Sequence, residues 1–464
     1  MNPHIFRAYD IRGIAEGPDA DLTEETAYLI GKGTGTYLQK IYNTKYITVG
    51  RDNRLSGEKL KNAYIKGLIE TGVNVTDVGL SISPMIYWSV CALSFDAGTN
   101  ITASHNPKEY NGIKIVTKNA HSICGDELQE ILKIIEEKKF KKADKIGTVL
   151  KKDIKQKYLE DLASRINIGR KLKVAIDTGN GTAGIFAPAF LEKIGCEVVP
   201  LYCEPDGTFP NHEANPEEYE NMKDLIAKVQ ETNADLGIGF DGDGDRVGIV
   251  DEKGKLYSSD YMLYLLTCDL IDRIPHPQIV FDVKVSQTII NKMKKMGAVP
   301  VMSKTGHSFI EKKMKEIKAP LAGEVSGHLF FAENYYGFDD ALLAAGKIIE
   351  IISNETHPLS QMFNSLPKTF TTPEFKASCP DDKKFHIVEE LVEYFTQNYD
   401  CITIDGVRIN FDKNSWGAVR ASNTSPNLTL RFEADSEERL KEIQAIMIKQ
   451  LKKYPEINIS WYKP

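Results

Sequence analysis

The 464-residue chain lacks any paired cysteine spacing. Its seven cysteines, Cys91, Cys124, Cys196, Cys203, Cys268, Cys379 and Cys401, are scattered with no CxxC, which argues against a zinc site and a disulfide framework and predicts reduced, packed thiols. A long apolar run is missing too. The most apolar stretch, YMLYLLTCDLI at 261–271, is too short to cross a bilayer, and the start, MNPHIFRAYDIRG, has no apolar signal core. A cytoplasmic protein with no membrane partner is expected. There is no excess of positive charge: 58 basic against 65 acidic residues give a net charge of -7, which disfavours nonspecific nucleic-acid binding. Hydrophobic content of 42% and charged content of 27% are those of an ordinary globular protein, with no long disordered stretch expected.

What the chain does have is repetition. Three segments run strand, turn, amphipathic helix ending in glycine, strand: YITVG to VNVTDVG with the helix ending at Gly72, KLKVAIDT to CEVVPLY through Gly195, and QIVFDV to AVPVMSK through Gly297. Such units imply mostly parallel sheets covered by helices. The spacing of about a hundred residues is too long for a solenoid and points to related domains. The last hundred residues differ. Strands CITID, VRINF, AVRAS and LTLRFEA follow closely and a charged amphipathic helix closes the chain, which predicts a smaller α+β domain with an antiparallel sheet. The length suits three or four compact units, with domains expected at 1–148, 149–252, 253–366 and 367–464.

The most informative motif is FDGDGDRVGIV at 240–250. Asp241, Asp243 and Asp245 alternate with glycine between two strand-like runs, and three carboxylates so close repel unless a cation sits among them. Oxygen ligands favour Mg²⁺ or Ca²⁺ over Zn²⁺. A solvated Asp-Gly turn is the plainer alternative. An EF-hand loop fits the spacing through Glu252, but Arg246 stands where the sixth-position glycine belongs and the flanks read as strands, not helices.

Other loops carry polar groups. NITASHNPKEYNGIK at 100–114 puts Ser104 and His105 on a loop before Pro107. A helix N-cap serine beside a turn proline is one reading. A hydrolase nucleophile is another, though adjacent side chains diverge on helices and strands, which makes His105 a poor base, and no G-x-S-x-G elbow surrounds Ser104. A third reading joins a phosphate-bearing Ser104 to the aspartate loop, completing an Mg²⁺ shell. KTGHS at 304–308 and AGEVSGH at 322–328 read as βα loops. VRASNTSPNLTLRF offers Arg420, Ser422, Asn423, Thr424 and Arg431, the donors a phosphate dianion needs, or an ordinary surface. Taken together, these loops suit a phosphorylated sugar.

On these motifs the chain resembles the α-D-phosphohexomutases, and within them the bacterial phosphomannomutase/phosphoglucomutase group. The match runs in order through FRAYDIRG, GRDNRLSG, TASHNP, DGDGDR, KTGHS, GEVSGH and RASNTSPNL. The resemblance implies four domains around a central cleft, three of them related α/β folds with mixed, mostly parallel sheets and the last α+β. It implies a phosphorylated Ser104 and one Mg²⁺ per chain on Asp241, Asp243, Asp245 and the serine phosphate. Tyr9, Arg12, His105, Lys114, Arg246, His307 and His328 match residues lining the reaction centre, with Lys114, His307 and His328 as candidate proton handlers. Glu324 and Ser326, beside Gly306 of KTGHS, match the grip on the ring hydroxyls. Arg420, Ser422, Asn423, Thr424 and Arg431 match the clamp on the nonreacting phosphate, and Lys284 is a further phosphate contact.

The implied reaction interconverts hexose 1- and 6-phosphates of mannose or glucose, with a hexose 1,6-bisphosphate as intermediate and activator. Phosphoglucosamine mutation and noncatalytic sugar-phosphate binding are the alternatives, and a monomer or weak homodimer is expected. Three positions depart from the pattern. Asn53 replaces a glycine of GRDGR, Val325 replaces the methionine of GEMSGH, and VKVSQ keeps Lys284 but loses the usual Cys-Thr after it.

Overall fold

The computed structural model describes residues 1–423, 425–460 and 462. They form two compact units, Met1–Leu266 with Ser326–Met362, and Thr267–Val325 with Phe363–Pro464. Among the described residues no helix is long and apolar enough to cross a membrane.

The three repeats fold as read. Tyr46–Arg51, helix Gly57–Glu70 and Asn74–Leu80 make the first parallel pair. Lys173–Asp177, helix Ala187–Lys193 and Glu197–Leu201 make the second, and Gln278–Asp282, helix Gln287–Lys295 and Val299–Ser303 the third. Each helix ends at a left-handed glycine: Gly72 at φ +93°, Gly195 at +101° and Gly297 at +98°. A side chain there would strain the backbone, so glycine is the residue that lets the chain reverse into the next strand.

In the first unit, the leading sheet runs through Ile11–Ile14, Tyr110–Thr117, Ala97–Ile101, Tyr46–Arg51, Asn74–Leu80 and Val149–Lys151. Tyr46–Arg51 and Ala97–Ile101 are parallel with Arg51 opposite Ile101, so the loops leaving them start side by side. Tyr110–Thr117 then returns antiparallel to Ala97–Ile101. The second sheet places Lys173–Asp177 parallel to Leu236–Phe240, with Asp177 opposite Gly239. Their outgoing loops, the second of them the aspartate loop, are likewise neighbours. Ligands of open α/β sheets gather at such carboxyl ends.

Two boundaries move. Val149–Lys151 pairs with Asn74–Leu80 and Leu256–Tyr257 pairs with Val247–Asp251, so the first two sheets run past residues 148 and 252. Strands of two or three residues carry no periodic signal. The third repeat is also divided between the units. Its later part, strands Leu329–Phe331 and Phe338–Asp339 with helix Ala341–Asn354, belongs to the first unit. There the Asp340 carboxylate caps that helix through Leu343 N at 3.0 Å and accepts from Tyr158 at 2.8 Å and Tyr335 at 2.7 Å.

In the second unit the closing sheet is antiparallel, with Asp400–Ile402, Val407–Asn410, Trp416–Ala421 and Asn427–Ala434 in order. Ser436 caps the last helix, Glu437–Leu451. The helices Lys384–Asn398 and Glu437–Leu451 supply Leu391, Phe395, Ile443 and Met447 to the core over that sheet.

Tyr158→Phe removes one donor from a buried carboxylate and is expected to lower stability by about 1–2 kcal/mol. Urea or thermal unfolding reads this, and an unchanged midpoint would show that the Asp340 node does not brace the fold.

Candidate functional site

The aspartate loop closes a hairpin. Leu236–Phe240 and Val247–Asp251 pair antiparallel with Phe240 opposite Val247, which rules out the helix-flanked EF-hand. All three carboxylates are fully buried. Their ligand oxygens lie within 4.8 Å of one another. Asp241 Oδ1 accepts from the backbone N–H of Asp245 (3.0 Å) and Arg246 (3.1 Å), shaping the loop. Its Oδ2 accepts from Ser104 Oγ at 2.6 Å. Thus the first-sheet serine and the second-sheet loop meet.

Lys114 lies on the strand Tyr110–Thr117 and donates to Asp243 Oδ2 at 2.7 Å and Asp245 Oδ2 at 2.5 Å. Ser83 adds a bond to Asp243 Oδ2 at 2.5 Å. Burial and the neighbouring Asp245 and Asp243 push the Asp241 carboxyl well above the usual carboxylate range. Burial acts the same way on Asp245, but Lys114, His328 and Arg246 outweigh it and hold that carboxyl well below.

Ser104 has φ +53°, a left-handed backbone. The expectation that Ser104 and His105 diverge is therefore corrected, because that rule belongs to helices and strands. Here Ser104 Oγ lies 3.3 Å from His105 Nδ1. Arg12, on Ile11–Ile14, donates to Asn106 Oδ1 at 2.7 Å in the same loop and to Asp10 at 2.5 Å. Tyr9 is half-buried just before that strand. Arg246 Nε donates to His328 Nε2 at 2.9 Å, and His328 Nδ1 donates to Asp339 Oδ2 at 2.6 Å. Burial presses the His328 pKa down, but Asp245, and Asp339 after it, outweigh burial and the nearby Arg246 and raise it above the ordinary histidine value. Ser326, half-buried, also belongs to this unit.

The second unit gathers the other residues. Glu324 Oε1 accepts from Gly306 N at 2.5 Å, tying GEVSGH to KTGHS. His307 is buried at the start of helix His307–Ile317. Asp405 accepts from Thr305 N at 3.0 Å and from Arg420 Nε at 2.6 Å. Lys284 pairs with Glu374 at 2.7 Å, and its carbonyl accepts from Arg431 Nη1 at 3.2 Å. Ser422 bonds Ser425 at 2.9 Å and Asn423 is half-buried beside it. Thr424 lies outside the described residues.

Ser83, Asp339, Glu374 and Asp405 were missed from sequence. Asp405 sits in an ordinary-looking Asp-Gly turn, and the others lie in segments whose apolar periodicity reads only as structure.

Models of all four domains of the phosphoglucomutase/phosphomannomutase family match: α/β/α domain I at residues 3–142, domain II at 156–254, domain III at 258–370 and the C-terminal domain at 374–450. The chain is 44% identical over 449 residues to a phosphomannomutase/phosphoglucomutase of Pseudomonas aeruginosa, covering 97% of this chain and 95% of that protein. The chain belongs to the phosphoglucomutase/phosphomannomutase family. A phosphoglucomutase of Neisseria meningitidis is 40% identical over 443 residues, 95% of each chain. A family structure from Burkholderia thailandensis superposes with TM-score 0.89 at 37% identity, over 98% of both chains.

The family implies a metal cofactor, and the loop fits one. Asp243 Oδ1 and Asp245 Oδ1 are buried with no hydrogen-bond partner. Orphaned carboxylate oxygens beside a serine hydroxyl form the hard donor set that a divalent cation takes.

A Cβ at Gly242 would stand 2.5 Å from the Ser104 carbonyl oxygen. Gly242→Ala is expected to part the two loops and weaken divalent-ion binding by about tenfold. Calorimetric Mg²⁺ or Mn²⁺ titration checks it, and parent-like affinity would refute the close-approach argument.

Proposed function

We propose that this chain is a phosphohexomutase that interconverts the 1- and 6-phosphates of mannose, glucose or both through phosphoserine at Ser104 and a hexose 1,6-bisphosphate. One observation carries the reading: Ser104 Oγ lies 2.6 Å from Asp241 Oδ2, beside two buried carboxylate oxygens that accept no hydrogen bond.

In the forward step the Oγ–P bond of phosphoserine breaks and a P–O bond forms at O1 or O6 of the sugar, whose hydroxyl proton passes to a base. The bisphosphate then presents its other phosphate and Ser104 Oγ takes that phosphoryl group back. Asp241, Asp243, Asp245 and the serine phosphate would hold a Mg²⁺ ion, which would supply charge neutralisation at the transferring group. Lys114 contributes a second positive charge in the same place. Burial pulls its pKa down, but Asp243 and Asp245 outweigh that and hold it well above the ordinary lysine range. That supports a role as a fixed cation over one as the base. Arg246 and Asp339 hold the His328 ring from both nitrogens, and His307 is the other imidazole available for proton transfer. Arg12 fixes Asn106 in the serine loop, and His105 lies against Ser104 Oγ; Tyr9 is the further candidate for the reaction centre.

Glu324, Ser326 and Gly306 serve the ring hydroxyls. Lys284, Arg420, Ser422, Asn423, Thr424 and Arg431 serve the phosphate that is not reacting. Lys284 and Arg420 now hold Glu374 and Asp405, and an incoming phosphate dianion offers both cations a stronger partner. The clamp must accept either phosphate in turn, which favours placing it on a domain able to move.

The test supplies glucose 1-phosphate, mannose 1-phosphate or glucosamine 6-phosphate with Mg²⁺ and a trace of hexose bisphosphate. Mannose and glucose phosphates are expected to turn over and the amino sugar only slowly. Ser104→Ala should lose about three orders of magnitude or more in kcat, and parent-like turnover would sink the phosphoserine. Chelation should abolish activity and Mg²⁺ restore it, with the serine phosphate retained throughout by intact mass.

A further inference from the structure

The motif GRDNR is unused by this chemistry, yet its second arginine is among the largest fully buried side chains of the protein. Arg54 Nε donates to Asp52 Oδ2 at 3.1 Å. Nη1 donates to the carbonyls of Pro107 (2.7 Å) and Tyr110 (3.1 Å), and Nη2 to those of Ser104 (2.8 Å) and Asn106 (2.6 Å). All five donors of the guanidinium are thereby used, four on the backbone of the serine loop. Asp52 in turn accepts from Thr102 Oγ1 at 2.7 Å, and that hydroxyl accepts from Ser104 N at 2.9 Å. The Ser104 peptide is held from both sides.

The neighbouring residue reaches the other way. Asn53 Nδ2 donates to Asn180 O at 2.8 Å, and Thr182 Oγ1 donates to Asn53 Oδ1 at 2.9 Å. Thr182 N donates to Gly242 O at 2.9 Å. The side chain that departs from the usual glycine thus links the 52–54 turn to the 180–182 turn, which in turn bonds the aspartate loop.

We infer that Arg54 is a positioning residue for the transfer: by gathering four carbonyls of the 104–110 loop onto one guanidinium, it holds Ser104 Oγ against the aspartate loop in its left-handed backbone. The inference rests on the phosphoserine reading above. Four carbonyl dipoles aimed at one point repel each other without a cation between them, and Ser104 at φ +53° has no local reason to stay there. An ammonium has three donors and no planar fork, so lysine cannot reproduce the arrangement.

The test makes Arg54→Lys and Arg54→Ala in the full chain. Both are expected to lose about tenfold to a hundredfold in kcat with KM for hexose phosphate held. Hydrogen exchange should rise over residues 102–112 and stay at the parent level over Lys173–Asp177. A cavity of about 230 Å³ lined by Arg54, Ser104, Asn106 and Pro107 gives solutes a route in. Millimolar guanidinium should therefore restore rate to Arg54→Ala, and neutral urea should not.

Parent-like kcat in Arg54→Lys would overturn the inference, as would exchange rising equally in both segments. So would a folded Arg54→Ala that guanidinium does not rescue. If Arg54→Ala does not fold, Arg54→Lys decides alone. Parent-like activity in Ser104→Ala removes the phosphoserine reading itself. Unaltered Arg54 variants beside an inactive Ser104→Ala remove only the positioning role.

Discussion

Three buried carboxylates in a six-residue hairpin loop set the terms for everything around them. Negative charges within 4.8 Å, shielded from water, persist only if positive charge or donors surround them. Lys114 arrives from the first sheet, Arg246 from the loop itself, Ser83 and Ser104 as hydroxyl donors. Two oxygens remain without donors. A loop built in this way has the oxygen donors that a divalent cation takes.

That requirement explains why the first unit is assembled as it is. Parallel strands send neighbouring loops out at their carboxyl ends, so Asp52–Arg54 lies beside the serine loop and Asn180–Thr182 beside the aspartates. The late segment carrying His328, Asp339 and Asp340 then packs on the same unit. Val247 N bonds Gly327 O at 3.2 Å and Ala341 N bonds Gly244 O at 3.4 Å. Charge pairing and backbone bonding therefore close the aspartate loop from several segments far apart in sequence.

The two units hold different sets of polar residues. The first holds Ser104, Lys114, Arg246, His328 and the three aspartates. The second gathers Glu324, Gly306, Arg420, Arg431 and Lys284 through bonds of its own, with Asp405 and Glu374 as partners for the cations. Carboxylates placed there hold the guanidinium and ammonium groups in place.

Much of this was legible in the residues. Strand-helix-glycine-strand repeats gave the three α/β units because periodicity and a left-handed helix stop are local properties of the chain. The acidic triplet announced a cation site because three charges at alternate positions have few other uses. The short strands Val149–Lys151 and Leu256–Tyr257 were not legible, since so few residues show no period. Nor was the convergence of Ser104 with His105, which depends on a backbone angle that only the surrounding loop imposes. Sequence by itself determined the elements, the family and the candidate ligands, because these follow from neighbours along the chain. Tertiary structure alone decided that Ser104 meets Asp241, that Lys114 bridges two carboxylates and that Arg54 gathers four carbonyls. Those pairings join residues about fifty to more than a hundred and thirty positions apart, and no local pattern encodes which distant charges will share one buried space.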